Sequence, residues 1–272
     1  MRAQAVPDDL RGVWQRTLQQ TDTDTATPPP SDSSSWVRWL QTSSWHGDLR
    51  VTQQTLSDRM ARPLAELSAP QLAVLAQQQG FAGITQFEAL PEGQICTWLR
   101  RVDYQPPGLQ PDAGWMMFEQ ADRLIEIGVH ADYNEVWVRL PDSVGRYVAL
   151  AGIGDDGQDN GVRLLIAGVY MMLVRPRRQR WPRGMTPGYT LSDVMLTFPE
   201  QALAWLDCEI SFGRLQQGLW HVERSTLPER EGQRWPLSLH RVDQARARLR
   251  LADRGTDWQV LEWTCDTDSV SL

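Results

Sequence analysis

The chain has 272 residues, a formal net charge of −7, 41% hydrophobic and 22% charged residues, which is the composition of a folded globular protein with the length of one large or two ordinary domains. All 27 basic residues are arginine, which excludes mechanisms that need a Schiff-base lysine, a pyridoxal-phosphate anchor or a Walker lysine. The acidic balance and the lack of an uninterrupted basic run argue against nucleic acid as the main partner.

The N-terminal residues lack the apolar core of a signal peptide, and no stretch approaches the roughly 18 apolar residues of a membrane span. We therefore expect a cytoplasmic protein without membrane contact. Three cysteines lie far apart and include no C-x-x-C pair, so we expect reduced thiols with a structural role.

The first half of the chain begins with three short runs rich in aromatic and β-branched residues, which predict strands over 12–18, 35–41 and 45–51. Two helical stretches follow. The first has Ser57 or Asp58 as its cap, and the second begins near Ser68 and Pro70 and ends at Gly80.

Strands resume after the helices, over 83–88, 94–103, 114–118, 123–127 and 132–140. Eight strands in about 130 residues suit an up-and-down barrel, and residues 146–264 offer a comparable set. We predict a mainly β protein of two tandem calycin/lipocalin-like antiparallel β-barrels, each with short helices inserted after the third strand. The predicted domains are residues 1–141 and 142–272.

An internal repeat supports two related halves. The hexamer TLSDRM at 55–60 returns as TLSDVM at 190–195. At an offset of 125, Val37-Arg38 returns as Val162-Arg163, Trp45 falls on Tyr170 and Arg50 on Arg175, and Asp132-Tyr133 falls on Asp257-Trp258. The variable offset indicates loops of different length.

Several runs of the first 140 residues carry a resemblance: LRGVWQR at 10–16, WLQ at 39–41, GDLRV at 47–51, GFAG at 80–83 and HADYNEVW at 130–137. They resemble a family of uncharacterised bacterial calycin-like proteins. The two-barrel layout is similar to that of fungal Hri-type proteins, and each barrel is similar to lipocalins and fatty-acid-binding proteins. The resemblance implies the fold and specifies no ligand or catalytic residue.

Two strands carry candidate site residues, because alternation places every second side chain on one face. His46, Asp48 and Arg50 share a face that is either lumenal or on the exposed outside of the barrel. The last strand of the first half places Tyr133, Glu135 and Trp137 together. In a lumen these groups would bind a polar head group, with Arg50 pairing a ligand carboxylate or Asp48.

A third strand offers Arg100, on the same side as Trp98, Val102 and Tyr104. The alternative interpretation is a packed Trp/Tyr pair with arginines at the surface.

The repeat acts as an internal control on these candidates. At the 125-residue offset, Asp48 becomes Leu173, His46 becomes Met171, Glu135 becomes Val260, and His130 becomes Gly255. A purely structural polar group would tend to recur in both halves, so the first half is favoured as the location of a site.

Three functions stay open at this point. The first is binding of a small apolar or aromatic molecule with a polar head group, through Arg50, Asp48, His46, Tyr133, Trp137 and Arg100. The second is a cofactor-independent isomerase, lyase or hydrolase that uses Glu135 or His130 as acid or base. The third is a non-catalytic interaction module with a packed first lumen.

No cofactor is implied by the motifs. The glycines at 152–157 fit G-x-G-x-x-G but lead into a strand instead of a helix, and no zinc spacing or calcium loop is present. One alternative is haem bound through His130, since some small calycin-like barrels bind haem with one histidine. The sequence does not indicate an oligomeric state.

Overall fold

A computed structural model describes residues 5–21, 31–57, 61–185, 188–252 and 254–270. Almost all regular structure in these ranges is antiparallel β-sheet, in two closed barrels that follow each other along the chain. The predicted fold class is confirmed. Among the described residues, no helix has the length and apolar character needed to cross a membrane.

The first barrel closes because its first strand pairs with its last, Gln19 lying opposite Glu135. A two-residue strand and the next strand together cover the other edge of the first strand. The strands are β1 (Gly12–Thr21), β2 (Ser31–Asp32), β3 (Trp36–Gln41), β4 (Trp45–Val51), β5 (Gln79–Leu90), β6 (Gly93–Asp103), β7 (Asp112–Gln120), β8 (Arg123–Gly128) and β9 (Tyr133–Arg139).

The second barrel repeats this order of pairing and closes in the same way, its first strand pairing with its last long strand so that Gly152 lies opposite Trp258. A two-residue strand at the end of the described chain pairs with its sixth strand. The strands are β10 (Tyr147–Ile153), β11 (Asp159–Ala167), β12 (Tyr170–Arg175), β13 (Glu209–Gln216), β14 (Leu219–Ser225), β15 (Arg234–Arg241), β16 (Arg246–Leu251), β17 (Arg254–Trp263) and β18 (Ser269–Val270).

The helices follow the third long strand of each barrel, as the sequence predicts, but the first one lies earlier than predicted: Ser57, expected as a cap at its start, is its last residue. The helices are α1 (Gln53–Ser57) and α2 (Ala69–Leu75) in the first barrel, and α3 (Leu191–Thr197) and α4 (Ala202–Leu206) in the second.

The ends of these helices follow local sequence signals, with one correction. Ser68 and Gln71 form a capping box at α2, and Thr190 caps α3 by accepting a hydrogen bond from the backbone N–H of Asp193. Asp58, a predicted cap, lies outside the described residues. Gly80 does not end a helix: α2 stops at Leu75, and Gly80 is already part of β5.

A bulge at the same place in both barrels supports the duplication. The β5–β6 ladder shifts register at Gly83, and the β13–β14 ladder shifts at Gly213. A Cβ atom at either glycine would lie 2.0 Å from a carbonyl oxygen of the neighbouring strand, so only glycine permits this bulge.

The two barrels pack against each other through a shared apolar cluster. Leu49 and Val51 from β4 contribute to it from the first barrel, and Met172 and Phe212 from the second. At Gly47 a Cβ atom would lie 2.4 Å from the Sδ of Met172, so the glycine permits this close approach. Strands at this interface are buried on both faces, which explains their nearly continuous apolar sequence.

The ladders correct the predicted alignment of the last strands. The 125-residue offset holds through β3 and β4. In the first barrel Gln15 lies opposite Arg38 on one side and Val138 on the other. In the second barrel Ala151 lies opposite Arg163, the counterpart of Arg38, and opposite Gln259. Gln259 is thus the counterpart of Val138. The offset in the last strand is therefore 121, which places Trp258 on Trp137 and Thr256, rather than Val260, on Glu135.

Candidate functional site

The polar face of β4 points into the first barrel. His46 and Asp48 are buried there, and the side chain of Arg50 is 21% exposed. Leu49 and Val51, on the opposite face, contact the second barrel. Of the two orientations that the sequence left open, the structure has the lumenal one, because the other face is needed to join the barrels.

Tryptophans form the inner wall of the lumen around Trp39. The ring centroid of Trp39 lies 6.2 Å from that of Trp14 and 5.7 Å from those of Trp98 and Trp137. The buried Leu10, just before β1, belongs to the same cluster. Toward the opposite end of the barrel, Arg50 and Arg100 are 21% and 34% exposed, so the lumen is accessible there.

An ion-pair chain crosses the lumen at that accessible end. The Arg16 guanidinium donates to Oε1 of Glu135 at 2.7 Å, and Arg50 donates to the same oxygen at 3.1 Å and to Asp48 at 2.8 Å. The other oxygen of Glu135, Oε2, is buried and has no hydrogen-bond partner among the described residues.

Glu126 lies beside this chain, opposite Glu135 in the β8–β9 ladder. The Tyr133 hydroxyl donates to one Glu126 oxygen at 2.7 Å, and the Trp137 indole N–H donates to the other at 3.0 Å. A Cβ atom at Gly114 would lie 2.6 Å from Glu126 Cγ, so this glycine provides the space that the glutamate occupies.

Burial, reinforced by the negative charge of Glu135, raises the pKa of Glu126 from the ordinary 4.5 to about 8. Burial also raises the pKa of Asp48, against the opposing effect of Arg50. Glu126 is thus mostly protonated at pH 7. It can donate its proton, and once it has done so it carries a negative charge.

Arg100 completes the mouth of the lumen. Its guanidinium carbon lies 3.6 Å from the ring centroid of Phe81, and it donates to Asp112 at 2.7 Å and to Asp103 at 2.9 Å. The predicted face of β6 is partly wrong: Trp98 and Arg100 are lumenal, but Val102 and Tyr104 join the cluster between the barrels. The bulge at Gly83 reverses the alternation between them.

Together these groups enclose a cavity of about 10 Å³, the room for about one water molecule. The lining residues are Trp39, Asp48, Arg50, Phe81, Trp98, Asp112, Glu126 and Trp137. This volume is far below the several hundred Å³ of a pocket for a drug-sized ligand. In this structure the lumen has no room for an apolar or aromatic ligand body, and the predicted ligand itself stays a prediction.

The two histidines of interest have different environments. His46 is fully buried, its Nδ1 lies 3.1 Å from the Thr85 hydroxyl, and burial lowers its pKa to about 3, so it is a neutral core residue. His130 is exposed in the turn between β8 and β9. An axial haem ligand needs a pocket that encloses the ring, and the position of His130 does not support the haem alternative.

The sequence brings together Asp48, Arg50, Glu135, Tyr133 and Trp137 as candidates. It leaves open whether Arg100 lies at the surface or in the lumen, and the structure places it at the lumen's mouth, against Phe81. The sequence did not indicate Arg16, Phe81, Asp112 and Glu126, which also face the first lumen. Alternation in β8 could have indicated Glu126, because it lies two residues after the inward-facing Leu124 and therefore on the same face of the strand.

The second barrel lacks most of this polar cluster. Leu173 stands at the position of Asp48, and the β16 ladder places the buried Leu249 at the position of Glu126. At its mouth, Arg175 keeps the position of Arg50 and pairs with Asp207, and its Nε lies 3.7 Å from Glu209. The first barrel alone has buried carboxylates deeper in its lumen, among the described residues.

Within the described chain, no three or more His, Cys, Asp or Glu side chains are arranged to hold a metal ion. The carboxylates of the first lumen instead contact separate donors along its wall.

The comparisons with known proteins support the fold. No protein-family profile matches the chain, and no curated protein matches it by sequence. Among solved structures, an uncharacterised protein of Saccharomyces cerevisiae, YLR301w, is similar with a TM-score of 0.54 and 11% identity, over 93% of this chain and 99% of that chain. This agrees with the predicted layout of fungal two-barrel proteins, while the resemblance to a bacterial family stays a prediction. The chain is thus similar in fold to a tandem-barrel protein of yeast.

Proposed function

We propose that the protein binds a small molecule at the mouth of its first barrel, with one polar group of the ligand inserted between Asp48, Glu126 and the tryptophan wall. The body of the ligand lies outside the lumen, against Arg50 and Arg100. The second barrel supports the first and has no equivalent site.

The comparison of the two lumens carries this proposal. Taking charged groups out of water costs several kcal/mol per ion, and apolar residues of similar volume are often at least as stabilising. The second barrel closes around Leu173 and Leu249 at the positions of Asp48 and Glu126, so the fold itself does not need the charges. Their presence in the first lumen is explained by a ligand that they recognise.

Native mass spectrometry of the full chain, purified without denaturation, tests the proposal directly. We expect a retained small molecule, or a small molecule captured from a mixture of polar metabolites, in a 1:1 complex. Asp48→Leu, which copies the second barrel, should lose it, with Asp48→Asn as a milder variant if the first misfolds. The control Glu88→Gln changes an exposed residue of β5 and should retain it. If Asp48→Leu and Asp48→Asn fold and bind as the wild type does, the first lumen is not the site.

A second candidate function is acid–base catalysis, favoured by the pKa of about 8 at Glu126, which is close to the value that general acids and bases use at neutral pH. Glu126 then takes the role that the sequence assigned to Glu135 or His130. In this case a bound molecule is converted, and Glu126→Gln abolishes turnover while the complex still forms. A ligand recovered unchanged after incubation contradicts catalysis and leaves binding in place.

A further inference from the structure

We infer that the group inserted into the first lumen is a primary ammonium, so that the ligand class is small organic amines. This inference rests on the proposed function and names its ligand. It follows from three properties of the site: its charge, its size and its aromatic wall.

The charges at the mouth of the first lumen do not balance. Five carboxylates, belonging to Asp48, Asp103, Asp112, Glu126 and Glu135, face three guanidiniums that contact them, belonging to Arg16, Arg50 and Arg100. Arg177 adds a fourth positive charge near Asp103, which still leaves one carboxylate in excess. Arg16 also pairs with Asp32 at the rim. The site therefore lacks positive charge, and without a ligand it compensates by holding protons.

One carboxylate oxygen identifies what is missing. Glu135 is 1% exposed, and its Oε2 is buried without a hydrogen-bond donor, although a buried carboxylate oxygen ordinarily has one. Glu135 lies opposite Glu126 in the β8–β9 ladder, and Glu126 lines the cavity, so a cationic donor that reaches this oxygen from the cavity would supply both the missing charge and the missing hydrogen bond. An anionic ligand would add to the excess of negative charge, so the pairing of Arg50 with a ligand carboxylate is disfavoured.

The size of the cavity limits the cation to a small head. A volume of about 10 Å³ admits a group as large as a water molecule, which an –NH3⁺ group matches and a trimethylammonium group exceeds. The carbon chain of the amine then leaves the lumen past Arg50 and Arg100, which are 21% and 34% exposed.

The wall of the cavity also favours a cation. Three of the lining residues are tryptophans, and Phe81 already has a guanidinium over its ring. Aromatic faces attract positive charge, most strongly in a site withdrawn from water. The second lumen lacks the carboxylates of Asp48 and Glu126, because Leu173 and Leu249 stand at their positions.

The test uses the full-length protein and four probes of similar size: n-butylamine, butyrate, 1-butanol and tetramethylammonium. Binding is followed by isothermal titration calorimetry in buffers of different ionisation enthalpy, which also counts protons. We expect n-butylamine to bind at one site and to release close to one proton at pH 7 and almost none at pH 9.5, because the ammonium displaces the proton of Glu126.

Two variants and a control test whether n-butylamine binds at the carboxylates of the first lumen. Glu126→Gln should weaken n-butylamine at least about tenfold, the loss expected for one hydrogen bond to a charged group, and should abolish proton release. Asp112→Asn, a second lining carboxylate, provides the same test of affinity if Glu126→Gln does not fold. Glu88→Gln should behave as the wild type.

The outcomes separate the inference from the proposed function. Binding of butyrate or 1-butanol without n-butylamine overturns the amine assignment and keeps a first-barrel binding site. Tighter binding of tetramethylammonium than of n-butylamine overturns the size argument and with it the primary ammonium. If no probe binds and native mass spectrometry captures no small molecule, both the inference and the proposed function are wrong.

Discussion

Glu126→Gln is the substitution that tests the electrostatics of the first lumen most directly. The amide has nearly the same shape as the acid, it still accepts the hydrogen bond from Trp137, and it fits the space left by Gly114. What it removes is the titration of a carboxyl whose pKa is raised to about 8 in the fold.

Proton linkage determines whether the free energy of unfolding rises or falls with pH. In the unfolded chain the glutamate ionises near 4.5, whereas the folded chain holds its proton up to about pH 8. The folded state therefore binds more protons between these values, and the free energy of unfolding of the wild type falls as the pH rises. At about 1.4 kcal/mol per pH unit, the loss reaches about 3 kcal/mol at pH 7 and about 5 kcal/mol above pH 8.

The assay is denaturant unfolding of wild type and Glu126→Gln from pH 4 to pH 9.5, followed by tryptophan fluorescence. The two proteins should have similar stability near pH 4, and the variant should become the more stable one by several kcal/mol at pH 9. Glu88→Gln, on the exposed face of β5, should show no such divergence. A difference between wild type and Glu126→Gln that stays constant with pH would refute the raised pKa.

Three further predictions concern the fold. Arg16→Met removes one of the two cations that contact Glu135 and should lower the free energy of unfolding by about 3–5 kcal/mol; a loss below 1 kcal/mol in urea unfolding would contradict that ion pair. Gly83→Ala forces a Cβ atom to 2.0 Å from a carbonyl oxygen and should cost at least about 2 kcal/mol, whereas Gly108→Ala, with nothing nearer than 3.8 Å, should cost less than 1. Cys265 should react first with a thiol reagent, because the other two cysteines are buried; mass spectrometry showing equal labelling of all three would contradict this.

Much of the architecture was predictable because it is written in local patterns. The alternation of β4 and β9 has period two, the breaks between strands carry turn residues, and Ser68 and Thr190 cap helices with their own side chains. The repeat then supported the same architecture in both halves, since TLSDRM at 55–60 returns as TLSDVM at 190–195.

Two features without a local signal caused the errors. The bulge at Gly83 moved Val102 away from the lumen. The counterpart of Glu135 is Thr256 instead of Val260 because the connections between strands differ in length in the two barrels: β8 and β9 are separated by residues 129–132, whereas β16 and β17 are separated by residues 252–253. A single extra residue reverses the face of every side chain that follows it, so alternation alone fails beyond that point.

The sequence by itself determined that the chain forms two tandem barrels with helices after the third strand, and that His46 and Asp48 of the first half have the apolar counterparts Met171 and Leu173 in the second. Only the tertiary structure decided that His46, Asp48 and Arg50 point inward, because that orientation depends on Leu49 and Val51 packing against the other barrel. It also decided the role of Glu126. Its pKa depends on burial and on Glu135 in the adjacent strand, and neither is visible until the strands pair.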